Sequence, residues 1–166
     1  YAFQTYEDVL DGLRNGRIFA VSGDLVTELD VVADASGRKV ETGGTLSVAA
    51  NESIEITIRF VDPDELNGIG ENPKVSRVDL ILGDIGSSTS DRNETARVFA
   101  RFTDAQWRRD GDTYEMSVTL PAFDGDAYMR VRGTNTQQLE PEMDVPGENP
   151  WGDLWFYSNP IFIDLK

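Results

Sequence analysis

A chain of 166 residues suits one domain and can bury about two-thirds of its unfolded surface, so folding requires neither a disulfide nor a metal. It carries 30 acidic against 15 basic residues, a net charge of -15, which repels phosphate backbones and anionic lipid and sets nucleic acid aside as a partner. With no cysteine and no histidine it has no thiol nucleophile, no Ser-His pair and no imidazole zinc site, which leaves carboxylate chemistry, hard-cation binding or no catalysis.

Thr5 to Gly16 reads as a short helix. Thr5 can cap it, Glu7 and Asp8 suit the positive N-terminal end, Arg14 suits the last turn, and Asn15-Gly16 stops it. Tyr6, Val9, Leu10 and Leu13 form one apolar face at helical spacing. From Arg17 onward the period changes to two. Strands are predicted over Arg17–Val21, Leu25–Ala33, Thr45–Ala49, Ser53–Val61, Val75–Leu82, Ala96–Phe102, Thr113–Leu120, Ala127–Arg132, Leu154–Tyr157 and Ile161–Leu165. Ile54, Ile56, Ile58 and Phe60 alternating with Glu55, Thr57 and Arg59 give the clearest half-buried strand. Turn chemistry separates these runs at Ser36-Gly37, Gly43-Gly44, Asp110-Gly111-Asp112 and Asp124-Gly125-Asp126. The fold class is therefore all-β, an antiparallel two-sheet sandwich of immunoglobulin-like or jelly-roll-like type preceded by one helix. Residues 1–16 form a helical junction and residues 17–166 a single sandwich domain.

The closing stretch, Trp151 to Lys166, is the most apolar of the chain. Ser158-Asn159-Pro160 breaks it, and because Pro160 cannot donate to a ladder it is expected at a kink or bulge. The aromatics before it then belong to the core rather than to a ligand surface.

Two acidic loops could hold a cation. The first carries Asp62, Asp64, Asn67, Glu71 and Asn72, and the second Asp144, Glu148 and Asp153. Both contain Gly-Glu-Asn-Pro, at 70–73 and 147–150, and both precede strands. Calcium takes six to eight oxygens, and glycines let backbone carbonyls join carboxylates around it, so calcium is the cofactor such loops would take. The spacing is not that of an EF-hand, and solvated turns are the alternative. A third acidic loop runs from Asp84 through Asp91, Asn93 and Glu94. Sugar stacking on Trp107, Trp151, Trp155 or Tyr157 is a separate possibility; Trp151, after a Gly/Pro loop, is the expected exposed ring. A carboxylate pair for glycoside hydrolysis is available in any chain with this many acids, so it carries little information.

Asp11-Gly12-Leu13-Arg14-Asn15-Gly16-Arg17-Ile18-Phe19-Ala20-Val21-Ser22-Gly23-Asp24 resembles a segment found late in PHP-type metallohydrolases of the CehA/McbA-like group, where a helix ends in an Arg-x-Gly-Arg turn and leads into an accessory β-domain. Phe156-Tyr157-Ser158-Asn159-Pro160-Ile161-Phe162-Ile163 is similar to the end of those proteins. The resemblance implies a non-catalytic accessory sandwich of a metal-dependent phosphoesterase, not an enzyme on its own because the family's metal-binding histidines have no counterpart. Arg14 and Arg17 would lie at the junction with a catalytic domain of the same polypeptide. Tyr1 in place of an initiator Met fits a fragment or a processed chain, and Arg-rich acidity suits a periplasmic or extracellular setting. No membrane insertion is expected, because no run reaches about 20 apolar residues. A free-standing secreted module for carbohydrate or protein, and a small carboxylate-only hydrolase, are the other two readings.

Overall fold

The computed structural model describes residues 5–86, 93–143 and 145–166. Among these residues one helix, α1 (Tyr6–Arg14), precedes twelve strands: β1 (Phe19–Val21), β2 (Glu28–Ala35), β3 (Arg38–Glu41), β4 (Thr45–Val48), β5 (Ile54–Val61), β6 (Arg77–Asp84), β7 (Arg97–Phe102), β8 (Arg108–Asp110), β9 (Thr113–Leu120), β10 (Ala127–Thr134), β11 (Trp155–Ser158) and β12 (Ile161–Leu165). They form two facing sheets, so the expected all-β sandwich with an N-terminal helix is what the chain adopts.

The five-stranded sheet runs β3-β2-β5-β9-β8. Its strict alternation turns Ile54, Ile56, Ile58 and Phe60 inward beside Tyr114, Met116 and Leu120, all buried. In the seven-stranded sheet, β6 and β10 pair over eight registered positions, turning Val78, Leu80 and Leu82 inward with Ala127, Met129 and Val131. The sheets meet where Phe60 stacks on Tyr114 at 4.8 Å and approaches Phe156 of the opposite sheet at 5.9 Å. Phe156 lies directly opposite Gly133, and a Cβ on Gly133 would stand 2.3 Å from its ring. The missing side chain is what lets the ring cross β10 into the core.

β11 and β12 are two halves of one kinked strand along β10. Gly133 pairs with Phe156 and Tyr128 with Phe162, so the register slips by one residue between the halves. That slip is the bulge expected at Ser158-Asn159-Pro160. Because side chains alternate with period two, an unbroken strand with Phe156 inward would turn Ile161 and Ile163 outward. With the extra residue all three are buried. The Ser158 hydroxyl accepts the Val131 N–H at 2.9 Å, replacing a backbone partner. The two halves then diverge: β11 takes β1 as its outer neighbour and β12 takes β4 in parallel.

β3 and β8 were not among the predicted strands. Both are short, charged edge strands, with burial too slight to impose alternation. Truncating Phe156 to Ala should cost about 3–5 kcal/mol in equilibrium denaturation. Gly133→Ala should cost about 1–3 kcal/mol by overpacking. Gly125→Ala, where a Cβ meets nothing within 4 Å, should stay within about 0.5 kcal/mol of the parent.

Candidate functional site

The first acidic loop is organised around a lysine. Asp62 leaves β5 and is buried, 1% exposed. Its carboxylate accepts the Val75 N–H at 2.8 Å and the Lys74 ammonium at 3.0 Å. Lys74 also donates to the Pro63 carbonyl at 2.9 Å and to Asp64 at 3.4 Å. Burial opposes the charge on Lys74, but its bonds to Asp62 and Asp64 outweigh it and raise its pKa. The Asn72 amide, with Lys74 second, lowers that of Asp64. Two of the residues expected to hold a cation, Asp62 and Asp64, thus contact an ammonium of the chain itself.

The remaining residues of the loop shape its backbone. Asn67 accepts the N–H groups of Ile69 at 3.1 Å and Glu71 at 3.0 Å, while Glu71 is exposed. Among the described residues the Nδ2 of Asn67 and the Oδ1 of Asn72 are buried without a hydrogen-bond partner. In the second loop Glu148 accepts the Val145 N–H at 2.9 Å, Asp153 is half-buried, and Asp144 lies outside the described residues. In the third, Asn93 donates to the Asp84 carbonyl at 2.9 Å, and Asp91 lies outside the described residues. Among the described residues no three carboxylates converge as a metal-holding group.

Trp151, expected to be exposed, is half-buried. It packs against the core edge, and a Cβ on Gly68 would touch its ring at 3.4 Å, so the two Gly-Glu-Asn-Pro loops meet there. Trp107 is half-buried and packs edge-on against Phe60 at 6.0 Å. Trp155 is buried, with Tyr157 stacked on it at 6.2 Å. None of the three tryptophans offers a fully exposed ring.

The outer face of the seven-stranded sheet holds a charge cluster that sequence reasoning missed. Buried Asp79 accepts Arg101 at 2.8 Å and Arg132 at 3.1 and 3.2 Å, with Arg77 at 3.4 Å. Arg77 bonds the Gln138 carbonyl, and Arg132 bonds the Leu139 carbonyl at 2.8 Å and Glu140 at 2.8 Å. The guanidinium carbons of Arg77 and Arg132 lie 5.9 and 5.7 Å from the Trp155 ring centre. The arrangement clamps residues 138–140 onto the sheet. Arg77-x-Asp79 inside an otherwise apolar strand was its only trace in the sequence.

The helix stands apart from this polar architecture. Thr5 accepts the Asp8 N–H at 3.2 Å while Asp8 accepts that of Thr5 at 2.9 Å, a closed capping box. Gly16, at φ 67, ends the helix with Arg17 N–H on the Gly12 carbonyl at 2.9 Å and Gly16 N–H on Leu13 at 3.3 Å, the double bond of a Schellman motif. That end is wedged in place: a Cβ on Gly43 would lie 2.0 Å from the Asn15 carbonyl, and one on Gly16 3.2 Å from Asn159. Of the helix itself only Gly12 is buried. Tyr6, Val9 and Leu13, on one face, are 73%, 40% and 54% exposed, and Ile18 and Val21 beyond the helix are exposed as well. Arg14 is exposed and Arg17 pairs with Asp11.

No protein-family model and no curated protein matches this chain. The resemblance at the two ends therefore rests on residues 11–24 and 156–163 themselves. Within them Asp24 has φ 56, a left-handed conformation closed to proline.

Lys74→Met leaves the buried Asp62 carboxylate without its ammonium and should cost about 2 kcal/mol near neutral pH. Because the folded pKa of Lys74 is raised, its contribution is complete below the ordinary lysine value near 10 and fades as pH rises through the folded value. The melting difference between parent and variant should close over that alkaline range. A difference independent of pH would contradict the ammonium's role.

Proposed function

We propose that this chain is a non-catalytic accessory sandwich that works by docking, through the apolar face of α1 and the adjoining β1, onto the catalytic domain of a PHP-like metallohydrolase in the same polypeptide. The observation that carries the reading is the exposed row Tyr6, Val9 and Leu13 on a helix whose C-terminal end is rigidly seated. A short helix gains little from propensity alone and is ordinarily held by burying its apolar face. Here the caps and the Gly16–Gly43 contact hold it with that face turned outward, where another apolar surface could cover it. The residues that carry the resemblance, 11–24, span the end of this helix and β1.

The test is the double variant Val9→Glu with Leu13→Glu. In this chain alone both sites are exposed, and stability should change by no more than about 0.5 kcal/mol per site. In the polypeptide that includes the preceding domain, the variant should free the sandwich from its neighbour, read as faster protease cleavage between them and as independent melting. Unfolding of the isolated chain would show that the face belongs to its own core. Unchanged cleavage and melting in the longer polypeptide would remove docking.

A further inference from the structure

A groove of about 760 Å³ runs along the first half of β2, between Arg17–Phe19 on one side and Glu41 and Thr42 on the other. β2 is doubly paired only in part. β5 accompanies it from Glu28 to Asp34, but β3 begins opposite Val32, so Glu28–Val31 have a sheet neighbour on one side alone among the described residues. Among the described residues β1, across the groove, pairs with β11 only. The sandwich is therefore open here at two strand edges. An unpaired edge is a template for another strand, because its backbone donors and acceptors lie at a fixed spacing.

The side chains specify what that strand would carry. Asp30 begins a row of alternating charge across the outer face of the sheet: Asp30 on β2 is opposite Arg59 on β5, Arg59 is opposite Glu115 on β9, and Glu115 is opposite Arg108 on β8. Arg59 lies 3.5 Å and Arg108 3.1 Å from Glu115. Among the described residues Asp30 has no opposite residue on the open side of β2. The closed half shows how such a position is filled: β3 sets Lys39 opposite Asp34, with the ammonium 3.6 Å from the carboxylate. The side chains of Glu28 and Glu41 at the ends of the groove are likewise unpaired among the described residues.

We infer that the free half of β2 accepts an extended protein segment by strand addition, and that this segment places a lysine or arginine opposite Asp30 and a second basic residue two positions away, opposite Glu28. Main-chain bonds to the edge would hold it, and the alternating charges would fix its register. The proposed contacts lie on β2 and not on α1; β1, which adjoins both surfaces, forms only the opposite wall of the groove.

The probe is a blocked five-residue peptide alternating lysine and valine, titrated against the full chain and followed by the amide resonances of residues 28–32. Three comparisons decide the matter: the same peptide with glutamate for lysine, the lysine peptide N-methylated on alternate amides in each register, and the Asp30→Lys variant. The lysine peptide should shift the β2 amides and protect them from exchange. Asp30→Lys should weaken it at least about fivefold and reverse the preference toward the glutamate peptide. One N-methylated register should fail to bind while the other retains affinity. Should Asp30→Lys not fold, Asp30→Asn should erase the preference between the two peptides. Equal binding of both peptides, equal binding of both methylated registers, or no shift of the β2 amides would each overturn the inference. Val9→Glu with Leu13→Glu should leave peptide binding intact, so a failure of docking and a failure of strand addition are read separately.

Discussion

The one-residue slip between β11 and β12 is the constraint on which the rest of the molecule leans. A strand has only two faces, and the last strand has to serve two neighbourhoods. Upstream, Phe156 crosses Gly133 to reach Phe60 in the other sheet; downstream, Ile161 and Ile163 close the core against Leu46 and Val48. Without the extra residue one of these sets would face outward. The same slip sets the direction in which each half leaves β10, so that β1 adds to one and β4 to the other. It also places Asn159 beneath Gly16, and Gly43 donates its N–H to the Pro160 carbonyl at 2.9 Å. The seat of α1 is thus built from the bulge and from the turn it anchors. An apolar tail in a strongly acidic chain is accounted for by this duty: it is an inner strand of the larger sheet, between β10 on one side and β1 and β4 on the other.

The surplus of acid is distributed unevenly. Arg77, Arg101 and Arg132 converge on Asp79, Arg132 also holds Glu140, and Lys74 serves Asp62 and Asp64. Cations of the chain are therefore committed to holding long connections against the sheets, where a guanidinium fork can bond carboxylate and carbonyl at once. On the outer face of the smaller sheet the charges alternate from strand to strand until β2 ends the row at Asp30. The carboxylates of Glu28 and Asp30 stand where the sheet stops, and a basic extended segment is the partner that continues the pattern.

Sequence periodicity revealed the elements that bury one full face. β5 and β9 were legible because eight residues alternate without interruption, and the helix because its caps and its apolar spacing agree. The bulge was legible from Pro160, which removes a donor at a position where a strand would need one. β3 and β8 were not, since edge strands such as Arg38–Glu41 and Arg108–Asp110 carry charge on both faces and imitate loops. The acidic loops were readable as oxygen-rich, but the bonds from Lys74 to Asp62 and Asp64 were not, because Lys74 lies outside the carboxylate pattern. The Asp79 cluster was hidden for a related reason: its partners lie 22 and 53 residues away in sequence, and only strand order brings them together. The exposed helix face had the signature of a buried one, and no local feature distinguishes the two.

Deleting Asn159 tests this account most directly. The deletion restores a continuous alternation through the last strand and forces a choice between Phe156 and the Ile161–Ile163 pair. Turning two isoleucines out of the core forfeits about 3–6 kcal/mol of burial, and the Asn159 contact beneath Gly16 is lost with it. The account predicts that unfolding by denaturant shifts by at least about 3 kcal/mol, with amide protection lost in β12 and β4. A deletion variant that keeps the parent's stability and its protection in both strands would contradict it.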